Sequence, residues 1–286
     1  MVHTAQSLTQ ADERGPKDLM RLVVCGSVDD GKSTLIGRLL VDAGAVPDDE
    51  FDALSAAAQR SPSGAVGPDL SHLLDDLAAE REQGITIDVA YRHFATATRR
   101  FLVADAPGHV QYTRNMVTGA STADAAVILV DASKGLLPQT FRHSCLVGLV
   151  GTRQVVLVVN KMDLVGYAKS VFDGIEKAYR EFAVLLGFTD ITAIPVVALT
   201  GENVTEHAPR MPWHSGPTLL GRLESLALET TRGQAAPLRL PVQWVARSPS
   251  AFRGYCGLLA SGTVHTATEF VCCPRDWKVV SPVWSR

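Results

Sequence analysis

The sequence predicts an α/β fold built on a mostly parallel, doubly wound sheet and followed by a smaller β module. Short apolar runs recur up to residue 198 and are separated by longer segments with helical spacing. Runs that are apolar on both faces and alternate with helices are typical of a parallel sheet covered on both sides. The predicted strands are residues 22–24, 101–104, 125–130, 155–159 and 194–198.

The clearest helix is predicted over residues 167–186. Val171, Ile175 and Tyr179 repeat at the helical period and would bury one face. Gly187 follows as a typical helix stop.

Three segments are expected along the chain. Residues 1–18 are polar, lack the apolar stretch of a secretory signal and are predicted to form a disordered tail. Residues 19–232 carry the alternation of strands and helices. From residue 233 onwards, prolines separate short runs without a helical period, which predicts a β-barrel-like module over 233–286.

Composition excludes several classes of protein. The 286 residues include 27 basic and 30 acidic side chains, with a formal net charge of −3, so the electrostatic signature of a nucleic-acid-binding protein is missing. The apolar runs are far shorter than the roughly 20 residues that span a bilayer. The five cysteines are odd in number and show no C-x-x-C spacing, which argues against a disulfide framework and a structural zinc site. We therefore expect a cytoplasmic protein without a membrane or nucleic-acid partner.

A phosphate-binding loop is predicted directly after the first strand, where residues 26–33 fit the pattern G-x-x-x-x-G-K-[ST]. Its backbone N–H groups and the N-terminus of the next helix would face phosphate oxygens. Lys32 would reach the β- and γ-phosphates, and the Ser33 hydroxyl would ligate Mg²⁺. The predicted phosphate-binding residues of this loop are Gly26, Ser27, Val28, Asp29, Asp30, Gly31, Lys32, Ser33 and Thr34.

Two further elements are predicted to face the same phosphates. Asp105 follows the strand 101–104 and would hold Mg²⁺ through water, while the Gly108 N–H would contact the γ-phosphate. Taken alone, this D-x-x-G pattern is usually a simple turn. Upstream, Thr86 in the segment 81–87 would close over Mg²⁺ as a switch. By its local pattern that segment fits a helix end followed by an edge strand equally well.

A base-reading element is predicted after the strand 155–159. Guanine presents N1–H and N2–H₂ donors on one edge, from which the Asp163 carboxylate would accept, and adenine lacks this pair of donors. Lys161 would lay its alkyl stem along the ring, and Asn160 would tie the loop in place. A site that pairs buried polar groups rejects a ligand that leaves them unpaired by ~10⁴ or more.

These motifs in this order resemble the translation-factor class of P-loop GTPases. A closer resemblance extends over residues 26–40, 80–91 and 111–124, which are similar to the GTPase subunit of bacterial sulfate adenylyltransferase. Elongation factors usually carry histidine at the two loop positions where this chain has Ser27 and Asp30. That difference favours the sulfate adenylyltransferase family.

The resemblance covers roughly residues 19–262 and implies an enzyme that uses GTP and Mg²⁺. In that family, GTP hydrolysis is coupled to the formation of adenylyl sulfate from ATP and sulfate during sulfate assimilation. The transferase site lies on a separate, smaller subunit. The expected partner is therefore that smaller adenylyltransferase subunit, in a heterodimer or a higher assembly.

The resemblance also implies roles for single residues. His109 matches the catalytic histidine that positions the attacking water, and Val28 and Ile85 match the apolar pair that gates it. Ala198 and Leu199 lie in the loop expected to contact the guanine O6, although a valine precedes Ala198 where relatives have serine.

After Gly262 the resemblance fades, so the β-barrel-like module is expected to be truncated, with an atypical C-terminus. Two alternatives stay open. One is a translation-elongation-type GTPase that carries aminoacyl-tRNA, against which stand the mild net charge and the Ser27 and Asp30 loop. The other is a truncated chain that binds nucleotide without coupling to a partner.

Overall fold

A computed structural model of the protein describes residues 18–49, 51–52, 70–73, 86, 88–228, 236–247, 253–264, 269–272 and 277–280. By its internal contacts the chain divides into two compact units, Met1–Leu226 and Ala227–Arg286. Apart from Asp18, the predicted N-terminal tail lies outside the described residues.

In the first unit, strands and helices alternate along the described chain except at β2 and β3, which follow one another directly. The strands are β1 (Leu19–Cys25), β2 (Ala90–Ala95), β3 (Arg100–Asp105), β4 (Ala125–Asp131), β5 (Gln154–Asn160) and β6 (Asp190–Pro195). The α-helices are α1 (Lys32–Asp42), α2 (Thr113–Ala120), α3 (Pro138–Val150), α4 (Lys169–Ala183) and α5 (Leu219–Ser225). The 3₁₀ turns are Leu70–Leu73, Val110–Tyr112, Met162–Val165 and Val184–Leu186.

The six strands form one sheet in the order β2-β3-β1-β4-β5-β6. All neighbours pair in parallel except β2, which runs antiparallel to β3. Both β4 and β5 are buried along their full length, because both faces of the sheet are covered. The predicted α/β fold with a mostly parallel sheet is therefore confirmed.

The strand order predicts a ligand-binding crevice beside β1. This strand lies between β3 and β4, and from it the sheet is built outwards in both directions. In open α/β sheets, ligands bind outside the carboxyl ends of the strands at such a reversal of strand order. The loops that follow β1, β3, β4 and β5 are therefore expected to form the binding site.

The helix predicted over 167–186 begins later than expected. Helix α4 starts at Lys169 because Tyr167 has a φ of 58°, a left-handed conformation that no helix interior accommodates. Its inner face contains Ile175 and Tyr179, which are buried as the spacing indicated, and Phe172, which the spacing did not include. Val171 is only half-buried. The Tyr179 hydroxyl lies 3.0 Å from the Ser144 hydroxyl of α3, so this buried phenol has a hydrogen-bond partner.

The last predicted strand is shifted towards the N-terminus. Residues 194–198 were expected to be extended, but β6 spans Asp190–Pro195 and its pairing with β5 ends where Val159 meets Pro195. Val196 and Val197 are buried, although they lie outside β6. Their burial comes from a loop that packs inwards, and a short apolar run does not distinguish that environment from a strand.

In the second unit, the described residues form two antiparallel pairs of strands. Strand β7 (Trp244–Arg247) pairs with β8 (Arg253–Cys256), and β9 (Glu269–Cys272) pairs with β10 (Trp277–Val280). A partial barrel over these residues stays a prediction, as do the predicted domain bounds 19–232 and 233–286. Among the residues described, no helix combines the length and apolarity needed to cross a membrane.

Candidate functional site

The candidate site lies at the carboxyl edge of the central sheet. Cys25, Asp105, Asp131 and Asn160 end β1, β3, β4 and β5 at the same edge of the sheet. Asp131 pairs directly with Asn160, and β4 extends past Cys25, which pairs with Ile128. The phosphate loop, the D-x-x-G segment and the base-reading segment each follow one of these strands. The fold therefore gathers the predicted motifs at one edge.

The loop after β1 needs two unusual backbone conformations before α1 begins at Lys32. Gly31 has a φ of 94° and Asp29 a φ of 65°. A Cβ atom on Gly31 would lie 2.5 Å from the Asn160 amide nitrogen. Glycine is thus required here both for the left-handed backbone and for the close approach of the next loop.

Two side chains hold the phosphate loop from within. The Asp30 carboxylate accepts from the Ser27 N–H at 2.6 Å, and the Lys32 ammonium donates to the Ser27 carbonyl at 2.8 Å. Burial raises the pKa of Asp30 and lowers the pKa of Lys32, while nearby carboxylates, that of Asp105 first, oppose the shift on Lys32. A triphosphate beside Lys32 would stabilise its charged form.

The donor set for a divalent cation is present beside this loop. The Ser33 hydroxyl at the start of α1 donates to the Asp105 carboxylate at the end of β3, over 3.2 Å. Hydroxyl, carboxylate and phosphate oxygens together with water are the ligands that Mg²⁺ prefers. These two residues therefore fit the predicted Mg²⁺ site, whereas no described contact links Thr86 to them and its role stays a prediction.

The D-x-x-G segment passes directly over the phosphate loop. A Cβ atom on Gly108 would lie 2.6 Å from the Lys32 ammonium and 2.9 Å from both the Gly26 carbonyl oxygen and the Ser27 carbonyl carbon. Only a residue without a side chain fits at this distance. The Gly108 backbone is thus next to the loop that would hold the phosphates.

His109 stands at the entrance to the 3₁₀ turn Val110–Tyr112 and is half-buried. Its Nδ1 atom accepts from the Gln111 N–H at 3.4 Å, which turns Nε2 into the ring atom available for a water molecule. Of the predicted gating pair, Val28 is half-buried, and Ile85 lies outside the described residues.

Replacing Gly108 by Ala is expected to weaken nucleotide binding by about 5-fold or more, measured by calorimetric titration. Two of the three close contacts are with backbone atoms, so side-chain rotation cannot relieve them. Overpacking of this kind costs ~1–3 kcal/mol. The matched control is Gly174→Ala in α4, where the new methyl group meets no atom within 4 Å. Unchanged binding by Gly108→Ala would contradict the close approach.

Asn160 joins three loops. Its amide nitrogen donates to the Asp30 carbonyl at 2.8 Å, and its amide oxygen accepts from the Ala198 N–H at 2.9 Å. The side chain is 2% exposed, so both hydrogen bonds are protected from water. The loop-tying geometry predicted for Asn160 is present. The Ala198 N–H is engaged in this contact, and its role towards the guanine O6 stays a prediction.

The other base-reading residues lie around Asn160. Lys161 has a φ of 61° and begins the 3₁₀ turn that contains Asp163, whose side chain is exposed. The Lys161 ammonium donates to the Asp29 carbonyl at 2.5 Å. Leu199 is exposed, and its carbonyl accepts from the Arg38 guanidinium at 2.8 Å.

Two residues of the site were not predicted from the sequence. Arg38 lies on the second turn of α1 and gives no local signal for its contact with Leu199. Asp131 does have a signal, because it ends a buried strand at the same sheet edge as Asp105. It forms an ion pair with Lys161 over 3.0 Å.

The chain matches a known protein family and several known proteins. Residues 17–234 match the elongation factor Tu GTP binding domain family. The chain is 56% identical to sulfate adenylyltransferase subunit 1 of Rhizobium meliloti (strain 1021) over 261 residues, covering 89% of this chain and 51% of the relative. It is 54% identical to the bifunctional enzyme CysN/CysC of Xylella fastidiosa (strain Temecula1), covering 90% and 41% respectively.

Among solved structures, the fold is similar to the S. cerevisiae Ski7 GTPase-like domain bound to GTP. The TM-score is 0.62 at 19% identity, covering 88% of this chain and 60% of that one. The present chain spans about half the length of the curated relatives it matches.

Proposed function

The chain belongs to the elongation factor Tu GTP binding domain family, and on that basis we propose that it binds and hydrolyses GTP as the GTPase subunit of a sulfate adenylyltransferase. One observation carries this proposal: Asn160 hydrogen-bonds both the phosphate loop and the Ala198 loop, so the proposed phosphate and base subsites would share one buried network. The choice among GTPases rests on relatives that are 50–56% identical and named as sulfate adenylyltransferase subunit 1 or as bifunctional enzymes.

The phosphate side of the site would act by positioning and charge. Lys32 would bind the β- and γ-phosphate oxygens, and the Gly108 N–H would donate to the γ-phosphate. Ser33 and Asp105 would hold Mg²⁺, which when bound neutralises charge on the phosphate oxygens. His109 would orient a water molecule through Nε2, in line with the bond to be broken.

The base side would choose the nucleotide. The Asp163 carboxylate would accept from guanine N1–H and N2–H₂, and Lys161 would lie along the ring from its anchor on the Asp29 carbonyl. The loop of Ala198 and Leu199 would face the guanine O6, with the Ala198 N–H as its donor, and Arg38 fixes this loop to α1.

The proposed partner is a smaller adenylyltransferase subunit, on which ATP and sulfate would form adenylyl sulfate and pyrophosphate. Thr86 and the Gly108 segment would respond to the γ-phosphate and change the surface presented to that subunit. We place the complex in the cytoplasm without nucleic acid. Cys25, Cys145 and Cys256 are free thiols within the described part of the chain, which supports a reducing compartment.

The proposal is tested by measuring GTP turnover and adenylyl sulfate formation with and without the smaller subunit, ATP and sulfate. We expect the purified chain to hydrolyse GTP slowly and to form no adenylyl sulfate. The smaller subunit should then raise GTP turnover. Adenylyl sulfate formed by this chain alone, or failure to bind GTP, would overturn the assignment.

The same preparation separates the two alternatives. Retention of aminoacyl-tRNA by the GTP-bound chain would favour a translation-type GTPase. GTP turnover that does not respond to the smaller subunit at any concentration would favour a nucleotide-binding chain without coupling.

A further inference from the structure

A buried carboxylate that the proposed function does not use lies beside the base-reading segment. Asp131 ends β4 and is 2% exposed. It accepts from the Ser133 N–H at 2.9 Å and from the Ser133 hydroxyl at 2.6 Å. Its other carboxylate oxygen lies 3.0 Å from the Lys161 ammonium, with Lys134 at the outer limit of 4.0 Å.

Lys161 connects this carboxylate to the phosphate loop. The ammonium that pairs with Asp131 also donates to the Asp29 carbonyl. A lysine side chain has four rotatable bonds and loses up to ~2 kcal/mol of rotamer entropy when it is fixed. Two anchors on one ammonium, one from β4 and one from the loop after β1, hold it in a single position.

Asp131 is charged at neutral pH. Burial raises the pKa of Asp131, but the hydrogen bonds from Ser133 and the ammonium of Lys161 outweigh it, so the pKa is lowered. Removing the Asp131 carboxylate would take away one of the two anchors of the Lys161 ammonium, whose side chain is otherwise 30% exposed to water. The position of the Lys161 side chain therefore depends on this carboxylate.

We propose that Asp131 is a positioning residue that sets how long guanine nucleotide stays bound, by holding Lys161 against the phosphate loop and across the base. The inference rests on the proposed function, because it assumes that Lys161 contacts guanine. Asp131 itself would touch neither nucleotide nor water. Its influence on binding would pass through Lys161 alone.

The first test is Asp131→Asn, which keeps the shape of the side chain and removes its charge. Loss of a charge-assisted hydrogen bond corresponds to about 10-fold or more in affinity. We expect release of a fluorescent GDP analogue to become about 10-fold faster or more, and the KM for GTP to rise alongside it. The kcat should stay within about twofold, because His109 and its contact with Gln111 are untouched.

The control is Asp173→Asn. Asp173 pairs with Lys169 over 2.6 Å on the surface of α4, with both side chains about half exposed. It should leave release unchanged, because exposed pairs contribute little. If Asp131→Asn fails to fold, Ser133→Ala takes its place. It removes only the hydroxyl that anchors Asp131, and unchanged release in it would overturn the inference.

A double-mutant cycle with Lys161→Met distinguishes positioning from a general structural effect. Lys161→Met alone should also speed release. Adding Asp131→Asn to Lys161→Met should then change release by less than about twofold, because the group it positions is gone. Effects that multiply in the double variant would show that Asp131 acts elsewhere and would overturn the inference.

GDP binding by the parent protein distinguishes failure of the proposed function from failure of the role of Asp131. A parent protein that does not bind GDP would overturn the proposed function and this inference with it. A parent that binds GDP, with unchanged release in a folded Asp131→Asn variant, would overturn only the role of Asp131.

Discussion

The Asp163→Asn variant is expected to bind GTP at least about 10²-fold more weakly than the parent and to bind xanthosine triphosphate more tightly. The carboxylate would accept from two guanine donors, and each hydrogen bond to a charged group contributes ~1.5–3 kcal/mol. Asparagine presents one donor where guanine also has a donor. Xanthine carries a carbonyl at position 2, which accepts from the new amide.

The measurement is competitive binding of GTP, ATP and xanthosine triphosphate to both proteins. Asp163 is exposed at the start of a 3₁₀ turn, so the exchange should not affect folding. Asp49→Asn, another exposed carboxylate, located beyond the end of α1, is the control and should bind GTP as the parent does. GTP affinity at the parental level in Asp163→Asn would refute the base-reading assignment.

The His109→Ala variant is expected to lose about 10²-fold or more in GTP turnover, the usual effect of removing one positioned catalytic group. Its affinity for GTP should be retained. The described contacts of the His109 side chain are with its own turn, through the Gln111 N–H and the Tyr112 ring. The hydrogen bonds of Lys32 and Asp30 within the phosphate loop do not involve it.

Single-turnover hydrolysis at saturating GTP, combined with a binding titration, checks this expectation. The control is His93→Ala, because His93 is exposed on β2 and should be dispensable for turnover. A His109→Ala variant that loses binding in proportion to turnover would make His109 a structural residue rather than a catalytic one.

The sequence predicted the elements whose signals are local. The strand before the phosphate loop and the helix after it were predicted because an apolar run and a glycine-lysine pattern occupy consecutive positions. Errors arose where the backbone conformation or the packing of a segment was not encoded in its local pattern. The left-handed Tyr167 delayed α4, and the inward-packing loop after Pro195 was mistaken for a strand.

By itself, the sequence determined the α/β class and the motifs, and predicted the residue types of each proposed subsite, because period, glycine placement and motif spacing act over a few neighbouring residues. Only the tertiary structure decided which side chains meet. Asn160 reaches Asp30 across 130 positions of chain, and Arg38 reaches Leu199 across 161. Such pairs depend on the strand order and on packing between distant segments, and no local spacing encodes them. The ion pair between Asp131 and Lys161 likewise depends on tertiary structure, because parallel pairing of β4 and β5 places the ends of these two strands side by side.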